Sequence, residues 1–148
     1  MATGATLPTA TVGSYTLTIT ARDVAGNLAT PRLITYSVGY RVCLLYSADA
    51  TQPLGGTMVI KLQMCNAAGA NLSSPQIALA ATLIDGTTAP PPNFQGSSNL
   101  GFAFRYDPSS KRYMYNLDTD RMAVGSHVLS FTVNGQASPL YVAPFRLK

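Results

Sequence analysis

Six aspartates, one histidine and two cysteines are all that this 148-residue sequence offers for carboxylate, imidazole or thiol chemistry; it contains no glutamate. As a general base, His127 would need an orienting carboxylate and a nucleophile within reach. It stands in Gly125-Ser126-His127-Val128, at the start of a strand pattern, and reads as a turn residue with its ring toward solvent. Paired-carboxylate chemistry would fall to Asp118 and Asp120 in Leu117-Asp118-Thr119-Asp120. Their spacing could suit a calcium loop, since Ca²⁺ gathers several oxygen ligands, but solvated loop acids are the expectation. In Asp23-Val24-Ala25-Gly26-Asn27, Asp and Asn tolerate the backbone angles of turns and Gly26 supplies a positive φ, so turn formation accounts for both side chains without a metal. Asn71-Leu72-Ser73 is formally a glycosylation sequon and reads as the border of a loop. With no nucleophile motif beside its one histidine, the sequence predicts no enzyme, no cofactor and no metal.

Aromatic and thiol side chains carry more information. Tyr113 and Tyr115 share a face by strand parity, with Phe104 and Tyr106 nearby. Sugar-binding β-sandwiches present planar aromatics in this way, which makes Tyr106, Tyr113 and Tyr115 the candidate ligand-facing residues. Ordinary core packing is the alternative, and the absence of Trp favours it. Cys43 and Cys65 are the two cysteines. A register that sets Cys43 opposite Cys65 also sets Leu44 opposite Met64, satisfying thiol pairing and the apolar face together. This predicts a cross-strand disulfide, against two buried thiols. Their spacing excludes a CxxC metal or redox site.

The elements that must position these residues are strands. Charged residues are 11% of the chain, well under the roughly 25% of an average soluble domain. Sixteen Thr, 12 Ser, 12 Gly and 10 Pro accompany a chain with no Glu and three Lys. Exposed helix faces need Glu and Lys, whereas Thr, Val, Ile and Tyr suit half-buried strands. An all-β fold follows. Ser14-Tyr15-Thr16-Leu17-Thr18-Ile19-Thr20 alternates strictly, with Tyr15, Leu17 and Ile19 on one face; Arg32–Val38 returns as its partner, with Leu33 and Tyr36 expected on that same face. A lone hairpin is marginal in water, so residues 1–39 make an incomplete unit. Residues 40–148 carry seven strand patterns, the number and spacing of an immunoglobulin-like β-sandwich: Tyr40–Tyr46, Thr57–Cys65, Gln76–Ile84, Gly101–Tyr106, Arg112–Leu117, His127–Val133 and Leu140–Leu147. Asp85–Asn99, with Pro90-Pro91-Pro92, reads as a long loop or crossover, and Pro144 as an edge position or bulge.

Two resemblances emerge from these segments. Gly13-Ser14-Tyr15-Thr16-Leu17-Thr18-Ile19-Thr20-Ala21-Arg22-Asp23-Val24-Ala25-Gly26-Asn27 resembles the final hairpin of bacterial immunoglobulin-like repeats of the hyalin-repeat type. Val59-Ile60-Lys61-Leu62-Gln63-Met64-Cys65-Asn66-Ala67-Ala68-Gly69, Phe104-Arg105-Tyr106-Asp107, Arg112-Tyr113-Met114-Tyr115-Asn116-Leu117, Gly125 and Phe145-Arg146-Leu147-Lys148 resemble the PxKF domain that often follows such repeats. Val59 stands where its naming motif has proline, and Leu62 where it has phenylalanine. The resemblance implies a noncatalytic module of a secreted or cell-surface bacterial protein, with no ligand carried over.

The expected function is therefore a structural spacer, with a glycan- or protein-binding adhesion module as the alternative. The net charge of +4 comes from ten scattered cations, of which Lys111 and Arg112 alone are adjacent, so nucleic acid is not an expected partner. No apolar run reaches the 18 or so residues of a membrane-spanning helix. Met1-Ala2-Thr3-Gly4 lacks the basic and apolar regions of a signal peptide and reads as a start placed before an excised fragment. Expected partners are the neighbouring domains of a parent chain and, through the apolar face of the 14–38 hairpin, a second copy.

Overall fold

The protein is described by a computed structural model over residues 6–87 and 101–148. Its elements are β1 (Gly13–Ile19), β2 (Arg32–Val38), β3 (Arg41–Leu44), β4 (Thr51–Gln52), β5 (Thr57–Cys65), β6 (Leu79–Ile84), β7 (Arg105–Asp107), β8 (Arg112–Asp118), β9 (Gly125–Val133) and β10 (Gln136–Leu147). Among the described residues there is no helix. The strands form three sheets: β1-β2, β4-β10-β9-β6 and β3-β5-β8-β7.

The two four-stranded sheets enclose one apolar core. Alternation dictates what enters it: Met58, Ile60, Leu62 and Met64 of β5 are buried, and so are Tyr113, Tyr115 and Leu117 of β8. From the other sheet come Leu79, Ala81 and Ile84 of β6, Leu129, Phe131 and Val133 of β9, and Ala143, Phe145 and Leu147 of β10. The expected Gly101–Tyr106 strand is divided between the sheets. Phe104 N–H donates to Leu79 O (2.9 Å) and Phe102 O accepts from Ala81 N–H (2.8 Å), so this stretch borders β6. From the very next residue, Arg105, the chain pairs with β8, Tyr106 opposite Tyr113. Phe104 sits at the changeover, with its ring 5.1 Å from Tyr115 and 5.3 Å from Phe131.

Other boundaries also differ from expectation. Strand β4 pairs parallel with β10 through Thr51↔Arg146 and Gln52↔Leu147, and nothing local in Thr51-Gln52 announces it. Strand β10 starts at Gln136 because the Asn134-Gly135 turn, both residues at positive φ, brings it straight back along β9. Its irregularity lies between Gln136 and Tyr141. Pro144 pairs with Val128 on one side, while on the other its carbonyl accepts the Tyr46 phenol at 3.0 Å. Residues 85–87 form a turn; the remainder of the expected Asp85–Asn99 crossover lies outside the described residues.

The hairpin β1-β2 forms its own sheet. Tyr15 lies opposite Tyr36, and Leu17 opposite Ile34. Leu33 does not share this face, because it pairs with Thr18 on the threonine side and is 67% exposed. Leu33 and Tyr36 stand three residues apart, and because side chains alternate along a strand the two fall on opposite faces, with Ile34 taking the place beside Tyr36. A hydrogen bond from Tyr40 N–H to the Tyr141 hydroxyl (3.2 Å) joins the start of the following unit to β10.

Candidate functional site

Cys43 and Cys65 are joined by a disulfide, with their Cα atoms 6.1 Å apart. The expected register is nevertheless two residues off: Arg41, not Cys43, lies opposite Cys65, and Cys43 lies opposite Gln63. A shift of two preserves the face, so the thiols meet diagonally and Leu44 meets Leu62 in place of Met64.

The candidate ligand-facing aromatics do not form a platform. Tyr113 and Tyr115 are 1% and 0% exposed, so neither can present a ring to a ligand. Tyr113 uses its hydroxyl structurally, donating to Ser74 O (2.8 Å) and accepting from Ser74 N–H (3.1 Å). Tyr106, half-buried and 5.2 Å from the Tyr113 ring, donates to Ser73 O (3.3 Å). Together they pin the β5–β6 connection, which Ser73 Oγ and Asn71 reinforce by accepting from Met64 N–H and Ser73 N–H, both at 2.9 Å. Asn71 of the sequon also donates to Lys111 O at 2.9 Å. The Tyr115 hydroxyl is buried without a hydrogen-bond partner, and burial pushes its pKa up to about 12.

His127 departs most from expectation. Its ring does not face solvent: the side chain is 11% exposed and stacks on Phe145, with centroids 5.5 Å apart. Nδ1 lies 2.8 Å from Asp85 Oδ2, and Nε2 lies 2.8 Å from Ala123 O. Asp85, at φ 51°, uses its second oxygen to accept Val128 N–H at 2.8 Å. Burial is the largest influence on the imidazole and lowers its pKa, but the Asp85 and Ala123 hydrogen bonds and the Asp85 charge together raise it above the ordinary value. Both ring nitrogens are engaged by acceptors, so neither is placed to take a proton from a substrate.

The acidic candidates are tied to their own loops. Asp118 Oδ1 accepts Asp120 N–H at 2.9 Å, and Thr119 between them is the buried residue. Its hydroxyl donates to Gly56 O (2.9 Å) and accepts Gly56 N–H (3.2 Å), fastening this corner to the β4–β5 turn. Asp23 accepts both Asn27 N–H (2.8 Å) and Asn27 Nδ2–H (2.9 Å), which closes the β1–β2 loop. The Asn27 side-chain bond, more than any other contact, lowers the Asp23 pKa. Asp107 is held well below the usual carboxylate range, first by the Ser109 hydroxyl and then by that of Ser110. Among the described residues, no group of three or more His, Cys, Asp or Glu side chains gathers as a metal site would require.

A cleft of about 450 Å³ opens between the hairpin and the β9–β10 end of the sandwich. Ser14, Ser37, Tyr40, Gln136, Ser138 and Tyr141 contribute to its lining, which holds no charged residue.

No protein-family profile matches the chain, and no curated protein sequence does. A solved structure described as the S-layer protein SbsC domains 4 and 5 aligns over 99% of this chain and 74% of its own, at 10% identity and a TM-score of 0.32. A likeness at that level assigns neither topology nor function.

Proposed function

We propose that the chain is a noncatalytic, immunoglobulin-like structural module of a secreted or cell-surface bacterial protein, one that spaces and stiffens the neighbouring domains of its parent. In this reading residues 1–39 are the closing strands of one incomplete repeat and residues 40–148 are an immunoglobulin-like sandwich of the PxKF type. The observation that carries it is the use made of the reactive side chains. The two cysteines crosslink β3 to β5, the histidine bridges two loops, and Tyr113 and Tyr106 pin a connection. A disulfide also suits an oxidising compartment. The hairpin face formed by Tyr15, Leu17, Ile34 and Tyr36 is the surface through which a neighbour or a second copy would pack.

Pulling single molecules between handles at the two ends tests the mechanical role. The sandwich should unfold in one reproducible force peak. Because residues 43 and 65 are 22 apart and the crosslink itself spans 6.1 Å, the oxidised chain should release about 70 Å less contour than the reduced chain, at roughly 3.3–3.6 Å per residue. Featureless extension at low force would overturn the spacer reading. Saturable binding on a glycan array, lost on Tyr40→Ala in the neutral cleft, would establish the adhesion alternative.

A further inference from the structure

We propose that His127 is a pH-operated clasp, whose imidazolium holds the β8–β9 connection against the sandwich and whose deprotonation lets that connection go while Asp85 stays bound. This is independent of the spacer reading. The argument begins from a count of protons. A neutral imidazole has one N–H and one lone pair. Here the two ring nitrogens face two acceptors, a carboxylate and a backbone carbonyl, each at 2.8 Å. Both contacts can be hydrogen bonds only when the ring carries both protons.

The two partners are unequal. A carboxylate accepts a stronger hydrogen bond than a neutral carbonyl does, and Asp85 is fixed from behind by Val128 N–H at 2.8 Å and by its own N–H donating to Val128 O at 2.9 Å. When one proton leaves, the remaining N–H therefore stays on Nδ1, facing Asp85. Nε2 is left presenting a lone pair to the Ala123 carbonyl, and that contact becomes repulsive.

The surroundings leave few rivals for control of this proton. From the turn after β6 the ring meets Asp85; from β10 it meets the Phe145 ring; from the β8–β9 connection it meets Ala123 O. Asp118, Asp120 and Arg121 lie in or beside that connection, and Arg146 adjoins Phe145. Among the described residues, Asp85 is the one ionic partner recorded for His127. Residues 88–100 contain no ionisable side chain. What is released is the stretch from Thr119 to Val124. Its Thr119 end remains anchored to Gly56, so the movement is confined to the half nearer β9.

Nuclear magnetic resonance on the unaltered protein tests this without relying on a variant that folds. The ring ¹⁵N shifts should titrate with a midpoint above 6.5 and leave the Nδ1–H tautomer at high pH. The Ala123 carbonyl ¹³C and the Val124 amide should move with the same midpoint, while the Val128 amide, bonded to Asp85, changes little. In Asp85→Asn the midpoint should drop to or below 6.5. A midpoint at or below 6.5 in the unaltered protein, an Nε2–H tautomer, or a Val128 response larger than that of Ala123 would each overturn the proposal.

Discussion

Tyr113 and Tyr115 are two residues apart on one strand and both buried, but their hydroxyls are used differently. The Tyr113 hydroxyl exchanges two hydrogen bonds with Ser74, and the Tyr115 hydroxyl has none. Removing the Tyr113 hydroxyl strands a backbone donor and acceptor, which costs about 1–3 kcal/mol. Tyr113→Phe should accordingly lower the unfolding free energy by that amount in urea titrations. Tyr115→Phe removes an unpaired buried polar atom, and should leave stability unchanged or raise it. Parity along Arg112–Leu117 already placed both rings on one face, but the sequence could not separate their roles. Ser74 lies 39 residues from Tyr113, and only the folded β5–β6 connection brings them together. His127 illustrates the same limit. Its local context suggested an exposed turn, whereas its environment comes from Asp85, 42 residues earlier, and from Phe145 on the paired strand.

Strands were legible in proportion to how far their own side chains determine them. Thr57–Cys65 was readable to the residue because Met58, Ile60, Leu62 and Met64 alternate without interruption. Two-residue β4 was invisible, since its pairing is imposed by Arg146 and Leu147 from far along the chain. For the cysteines, parity was legible and absolute register was not: any even shift keeps both thiols on the same face. The crosslink closes a span of 22 residues, for which the chain-entropy relation gives about 3 kcal/mol. Reduction, or paired Cys43→Ser and Cys65→Ser substitution, should lower stability by that order in chemical denaturation, with the strand pairing of β3 and β5 retained in the native state. The hairpin supplies a second element-level prediction. Ile34 and Ile19 are 42% and 45% exposed on a sheet to which, among the described residues, no further strand is added, so the free chain should self-associate through it. Light scattering should report a dimer that becomes a monomer on deletion of residues 1–38. The shortened chain should still fold, because neither large sheet borrows a strand from the hairpin.

For the molecule as a whole, opposing titrations define a window of greatest stability. Asp107 and Asp23 have pKa values below the ordinary 3.8, so their stabilisation is complete above that value and disappears as pH falls through the folded values. His127 has a pKa above the ordinary 6.5, so its contribution is complete below 6.5 and is lost as pH rises through the folded value. Urea midpoints should therefore peak between these two ordinary values, and His127→Gln should flatten the alkaline side alone. The three sheets were foreseeable from composition and alternation, but their division of labour was not, because the 102–107 stretch serves one sheet and then the other. One consequence concerns time. Thr51 waits for Arg146, 95 positions later, before its sheet can close. At roughly 5–20 residues per second, a ribosome needs about 5–19 s to deliver that partner. β8 is complete at Asp118, 28 positions before Arg146, so for about 1–6 s of this interval β5 and β8 can zip together as one half of the molecule before β10 is in place. The nascent protein is thus a half-built sandwich for that time, and whatever shields Leu62, Tyr115 and Leu117 during synthesis acts on that species rather than on the finished fold.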